Sequence, residues 1–396
     1  MQSRRQAITR ATRRQFVQWT GFGVGVAATA PVRSAFAALG SDSFIVVSNG
    51  GSDDTPTSMS LIHPETLEVL VTLPAPGSFA FPATRWAFAR DIVWGGYGER
   101  VAGISLATGE EVAGIETGSR QNYTEVTPDG GHVINAARFE HTVLKIDARS
   151  ETPDLARVEG TIAMYDGAQP CDMTILADGS LCFTPDRGGD AVSVFRIDPF
   201  ELVATIPLER MGEEPLEPYM ATVSPRADYL FVENARGEGS ESILDIGNPE
   251  RPVEIRRLTQ ADGLGINPLT SEFTPDGRYN LIICRNSSEL SIVDCDLLEI
   301  VDRVALPEGS NPIAGTFTPA GDRLFVPLPG RDAVAVVAVP AFEVEALVPV
   351  GARPLGAAYV ENPMPERQGL NIPLGSALAT GRAFPSDCPD RCCGPV

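Results

Sequence analysis

Short, largely apolar runs of five to seven residues recur along most of the chain, each bounded by turn residues. Leu269 to Phe273, Asn280 to Cys284, Leu290 to Asp294 and Glu299 to Ala305 follow one another within 40 residues. Runs so short and so bounded predict buried β-strands rather than helices. No window shows a sustained apolar stripe at the 3.6-residue period. The punctuation between runs repeats as well. Val126-Thr127-Pro128-Asp129-Gly130, Phe273-Thr274-Pro275-Asp276-Gly277 and Phe317-Thr318-Pro319-Ala320-Gly321 are versions of one hairpin turn. Proline presets φ there and glycine accepts positive φ. Weaker copies surround Asp178 and Arg226, so residues in the Asp slot fall at 129, 178, 226, 276 and 320. A period of about 40–50 residues marks a propeller or solenoid.

A second landmark opens each unit: Phe81-Pro82, Gln169-Pro170, Glu217-Pro218, Asn267-Pro268, Asn311-Pro312 and Arg353-Pro354, with Asn122-Tyr123 in the third unit. The first unit, from Ser43, lacks an opening strand. The last, Pro354 to Val360, is nothing but an opening strand. A ring reconciles them, with 355–360 supplying the innermost strand of a blade whose other three come from 43–74. Closure of this kind protects sheet edges. The expected fold is therefore all-β: a seven-bladed β-propeller over residues 38–360, about 46 residues per blade. The motifs Asn-Pro, Phe-Thr-Pro-Asp-Gly and Ala191-Val-Ser-Val-Phe-Arg-Ile-Asp198 resemble the YVTN-type repeat of YncE-like propellers. Ser291 to Asp294 and Leu144 to Asp147 are further copies of the last strand. The resemblance covers about four fifths of the chain and implies the fold firmly. That family spans binding proteins, lactonase-like enzymes and relatives of amine dehydrogenase heavy chains, and fold alone does not fix function.

The ends read differently. Residues 1–15 hold Arg4, Arg5, Arg10, Arg13 and Arg14 and no acid; an apolar stretch follows, then Ala35-Phe36-Ala37. This is the layout of an export signal cleaved after Ala37. The Arg13-Arg14 pair resembles the twin-arginine address, which implies export of a folded chain to the periplasm. Residues 361–396 form a Pro/Gly-rich tail with Cys388, Cys392 and Cys393 crowded at its end. That cluster suits a soft metal, a redox role or a tether, and equally a flexible tail with one local disulfide. No cofactor is required by the sequence. Cys171, Cys182, Cys284 and Cys295 fall in or beside strands and read as small buried thiols.

The chain carries 31 Lys+Arg against 52 Asp+Glu, a net charge of −21, and Lys145 is its one lysine. Loss of the leader, with six arginines and no acid, deepens this to −27. Such acidity excludes a nucleic-acid binder and electrostatic attachment to anionic lipid. No stretch after the leader reaches the roughly 18 apolar residues of a membrane span. Against this background one set of bases stands out. Arg100, Arg138, Arg187, Arg236, Arg285 and Arg331 occupy the loops between second and third strands of six blades. Those loops share one face with the inter-blade connections. A guanidinium ring at the channel mouth would suit a small anionic ligand or an acidic patch on a periplasmic protein partner. The bland reading is that the arginines bridge blades or pair with acids in the same loops, Glu99, Glu140, Asp186, Asp190, Glu238, Glu289 and Asp332.

His63, His132 and His141 are scattered and offer no convergent imidazoles. There is no Gly-x-Ser-x-Gly nucleophile elbow. The densest acidic segment, 209–217, lacks a calcium-loop pattern and reads as a solvated loop. The expectation is an exported binding or scaffold propeller rather than a stand-alone catalyst. The alternatives are an oxidoreductase subunit like an amine dehydrogenase heavy chain, and a lactonase-like hydrolase.

Overall fold

The structure is a computed structural model. It describes residues 43–361 apart from 53–54, 56–57, 75–86, 90–91, 98–99, 106–110, 117–122, 149–156 and 211. Arg13, Arg14 and Ala37 of the leader, and Cys388, Cys392 and Cys393 of the tail, therefore lie outside the described residues.

Seven four-stranded antiparallel sheets form the blades of a propeller. Blade 1 takes Ser43–Asn49, Ser58–Ile62 and Val69–Pro74 as its second to fourth strands, and Pro354–Glu361 returns to be its innermost strand. The register Ile45↔Tyr359 and Val47↔Ala357 closes the ring. Gly351 N–H donates to Ser60 Oγ at 3.3 Å, and Arg323 Nη1 of blade 7 donates to Pro64 O at 3.1 Å. Blades 2 to 7 follow in chain order: 87–116, 124–163, 174–207, 218–258, 268–305 and 316–349. In blade 6 the strands are Pro268–Phe273, Tyr279–Cys284, Glu289–Asp294 and Glu299–Ala305, within a residue of the expected bounds.

Burial explains the sequence pattern. Second and third strands face a neighbouring blade on both sides, so Leu181–Asp186 is buried throughout and Ala191–Arg196 nearly so. The outermost strands face solvent on one side, and Glu343–Pro349 alternates exposed with less exposed positions. The blade seams are apolar clusters, such as Phe183, Val194, Leu230 and Val232 between blades 4 and 5, and Leu281, Ile283, Leu324 and Val326 between blades 6 and 7.

The repeated turn has a side-chain reason. Thr127 Oγ1 donates to Asp129 Oδ1 at 2.5 Å, and the same oxygen accepts Gly131 N–H at 2.9 Å. Thr274 and Asp276 repeat this at 2.6 Å. These hydrogen bonds, the threonine's first, hold both aspartates below the usual carboxylate range. Where the Asp slot holds Ala320, Asp322 takes over and accepts from Thr318 Oγ1 at 2.5 Å. Asp228 does the same for Ser224 in the blade with Arg226. The lower loops use another acceptor. Asp294 Oδ1 receives the Asp296 and Leu297 N–H groups at 3.0 and 3.3 Å. In blade 1 His63 stands in that slot, and its Nδ1 receives Glu65 and Thr66 N–H at 3.1 and 3.2 Å. His63 is thus a turn cap. Lys145 is buried, its Nζ donating to Ile197 O at 3.0 Å across the blade 3–4 seam.

Candidate functional site

The upper face is built from two kinds of segment, and both end in a left-handed residue. The loop from second to third strand ends at His141, Asp190, Gly239, Ser288 and Asp332 in blades 3 to 7, with φ of 51, 48, 80, 52 and 48°. The connection into the next blade ends at Gln169, Glu217, Asn267, Asn311 and Arg353, with φ of 51, 51, 59, 50 and 51°. Positive φ is uncommon outside glycine, and Asn, Asp and His adopt it most readily. That preference accounts for two of the polar residues before proline, Asn267 and Asn311.

Side chains latch the two segments together at three places among the described residues. Asp190 Oδ1 accepts the N–H groups of Leu216 and Glu217 at 2.8 and 3.1 Å. Asp332 Oδ1 accepts Arg353 N–H at 2.7 Å. His141 Nδ1 accepts Gln169 N–H at 3.1 Å, so this histidine stands in for an aspartate. His132 lies far below, its Nε2 3.1 Å from Glu159. The three histidines therefore share no site.

Five of the six expected arginines have described side chains on this face, at one to three residues beyond the second strand. Arg138 is buried; its Nη2 donates to Gln169 Oε1 at 3.3 Å and it stacks over Phe139 at 5.3 Å. Arg187 Nη2 donates to Glu217 Oε2 at 2.9 Å across the blade 4–5 seam and lies 5.3 Å over the Tyr219 ring. Arg236 Nη1 donates to the other Glu217 oxygen at 3.1 Å, and Arg210 Nε donates to Asp190 at 2.6 Å. Arg331 donates to the Glu308 carbonyl. Arg285 is half-buried and its side chain has no hydrogen bond or ion pair among the described residues. Arg100 opens the third strand of blade 2, opposite Tyr97. Where these arginines do meet acids, the acids are Glu214 and Glu217 rather than those of their own loops. The 209–217 segment is accordingly more than a solvated loop: Leu216 is buried and both Leu216 and Glu217 are tied to Asp190.

Below the arginines the axial channel is plugged. Tyr123, Cys171, Tyr219, Met220, Ala235, Leu269, Ile313 and Ala314 converge from five blades into one buried apolar cluster. Tyr123 Oη lies 3.8 Å from Met220 Sδ, across the ring. A ligand on this face therefore meets a guanidinium rim over an apolar floor.

Buried acids lie beneath the face in two places of note, blade 4 and blade 5, and neither was visible as a site in the sequence. Asp186 ends the second strand of blade 4 and is fully buried. Its Oδ2 accepts Tyr165 Oη at 2.9 Å and Ser193 Oγ at 2.7 Å. Burial pushes this carboxyl up to about 7, against the opposing pull of the two hydroxyls. Tyr165 is raised in turn by burial and by Asp186. Gly189 makes the contact possible, since a Cβ there would sit 1.9 Å from Tyr165 Oη. In blade 5, Glu233 and Glu241 lie directly opposite each other on the second and third strands, both fully buried. Burial first, and then Glu233, hold the Glu241 carboxyl protonated far above the ordinary range. The strand thiols are buried and form no disulfide; burial pushes Cys284 and Cys295 up to about 12, so these two behave as small apolar groups. Among the described residues no group of three metal-ligating side chains assembles.

No family model matches the chain, and no curated protein matches it either. Solved structures do. The periplasmic gluconolactonase PpgL of Pseudomonas aeruginosa superposes with a TM-score of 0.65 at 18% identity, over 81% of this chain and 99% of that one. Hydrazine synthase of Kuenenia stuttgartiensis gives 0.57 at 17% identity, over 72% of this chain and 97% of that one. The dihydro-heme d1 dehydrogenase NirN gives 0.55 at 18% identity, over 80% and 75%. At such identities the likeness is one of fold.

Proposed function

We propose that this chain is an exported, YncE-like binding propeller that takes its ligand or partner on the upper face, in the periplasm. One observation carries the reading: arginines from consecutive blades are gathered on a single face, over an apolar plug, in a chain of net charge −21. Arginine forks recognise carboxylate and phosphate, and a rigid ring of latched loops presents them with little ordering cost. Export rests on the Arg13-Arg14 leader. The test is capture from a native extract by the wild type and by Arg285→Glu/Arg331→Glu. Capture should fall while the thermal midpoint stays unchanged, because neither guanidinium holds an ion pair within the described fold. Equal capture by both proteins contradicts the reading.

A lactonase-like hydrolase is the second reading. It is favoured by Asp186, whose carboxyl changes state near neutral pH as a general acid or base must. PpgL, named a periplasmic gluconolactonase, shares the fold. Hydrolysis across a lactone panel that disappears in Asp186→Asn supports this reading, and an inert wild type removes it.

A further inference from the structure

The upper face is not uniform. Over blades 4 and 5 the guanidinium groups are neutralised: Arg187 and Arg236 share Glu217, and Arg210 sits on Asp190. Over blades 6, 7 and 1 they are not. Arg285 has no side-chain partner among the described residues, and Arg331 reaches only a main-chain carbonyl. Arg353, not among the arginines singled out in the sequence, has a buried Nε without a hydrogen-bond partner, and none of its side-chain nitrogens finds an acceptor among the described residues. Ser310, fully buried in the same arc, has an Oγ that is also without a partner. Buried donors are nearly always satisfied in folded proteins; Arg138 Nε over blade 3 is also without a partner, and what sets this arc apart is that such a donor lies beside two further guanidinium groups with no ion pair among the described residues.

The arc is continuous. Arg285 N–H donates to Asn267 O at 2.9 Å, and Leu306 N–H to Ser288 O at 2.9 Å, which leads into Ser310. Gly330 N–H donates to Ser310 O at 2.9 Å, and Arg353 N–H to Asp332 Oδ1 at 2.7 Å. Three acids neighbour these arginines, Glu289, Glu308 and Asp332. None of them closes an ion pair with the three among the described residues, and one Asp332 oxygen is already occupied by a main-chain N–H. Leu269, Ile313 and Ala314 of the plug form the apolar ground beside the arc.

We infer that the arc of Arg285, Arg331, Arg353 and Ser310 is a binding site for a small oxyanion, a carboxylate or phosphate on a compact molecule with one apolar flank. This rests on the upper-face reading and names its ligand class. The paired arginines of blades 4 and 5 hold the scaffold rigid, and the unpaired ones supply the donors. Binding falls as salt is raised, because the partners are partly exposed.

The experiment is calorimetric titration of the full mature protein with inorganic phosphate, with citrate and with a poly-glutamate peptide. It is repeated on Arg285→Gln, Arg331→Gln, Arg353→Gln and Arg236→Gln, with a thermal melt of each to establish folding. Phosphate or citrate should bind the wild type, and each arc substitution should weaken it about tenfold, the loss of one charge-assisted hydrogen bond. Loss in Arg236→Gln with retention in the arc variants would overturn the arc while leaving the upper-face reading standing. Binding of poly-glutamate without either small anion would overturn the ligand class. If no anion binds, yet capture from extract still depends on Arg285 and Arg331, the oxyanion site is wrong and the face is a protein-docking surface.

Discussion

The facing glutamates of blade 5 make a prediction that the rest of the fold does not share. Six blades supply comparison pairs at or near this slot, and four of them are informative: Ala136↔Val143, Pro185↔Val192, Ile283↔Leu290 and Pro327↔Val334. Blade 5 alone among these puts carboxyls there, against Phe231, Ile243, Ile282 and Cys284 in the seam with blade 6. The Glu241 oxygens accept no hydrogen bond among the described residues. The folded state therefore keeps Glu241 protonated, whereas the unfolded chain releases that proton near the ordinary value of 4.5. Above that value the native state binds the extra proton, so stability falls as pH rises, until the folded carboxyl itself ionises. The slope is about 1.4 kcal/mol per pH unit for one proton, or roughly 2 °C in thermal midpoint for a domain of this size. Glu241→Gln keeps the shape and removes the proton. Thermal or urea unfolding of both proteins at pH 5 and pH 6 reads the difference directly. The variant should gain about 1.4 kcal/mol on the wild type over that single unit. Parallel curves would show that Glu241 is ionised in the fold and would refute the argument.

Three further outcomes follow from the same structure. Asp186→Asn should gain on the wild type from about pH 4, at about 1.4 kcal/mol per pH unit, and level off near pH 7, where the folded carboxyl itself titrates; a flat difference in unfolding free energy contradicts this. His141→Asp should preserve the blade 3–4 latch, because aspartate holds it at 190 and 332, whereas His141→Ala should cost about 1 kcal/mol; equal urea midpoints for the two variants would deny His141 that role. Lys145→Met should be close to neutral or cost up to about 2 kcal/mol through the orphaned Ile197 carbonyl, with unfolding midpoints as the check.

The fold was legible because its punctuation is local. Thr-Pro-Asp-Gly caps its own turn through the Asp side chain, and the polar residue before proline carries a left-handed φ, so both leave marks at fixed spacing. Ring closure was legible because strands were missing in complementary places at the two ends. The face bearing the arginines could be deduced from loop parity alone. Their partners could not. Arg187 passes over the acids of its own loop to reach Glu217 in the next blade, and sequence distance does not encode that contact. The pairing of Glu233 with Glu241 depends on a hairpin register eight residues long, and in the sequence both look like ordinary polar positions flanking a loop. Asp186 looked like one more acid beside an arginine. Only its burial under Tyr165 makes it a titrating group near neutrality. The apolar plug was hidden for the same reason, since its members lie in or just before the opening strands of five separate blades, with Ala235 just past a second strand.

The most direct test of the central claim is native mass spectrometry of the protein isolated from the periplasmic fraction of its own source, wild type beside Arg285→Gln/Arg353→Gln. The account predicts a chain beginning after Ala37, carrying a bound species that the double variant releases. A chain that still begins at Met1, or a bound species retained equally by the variant, would contradict it.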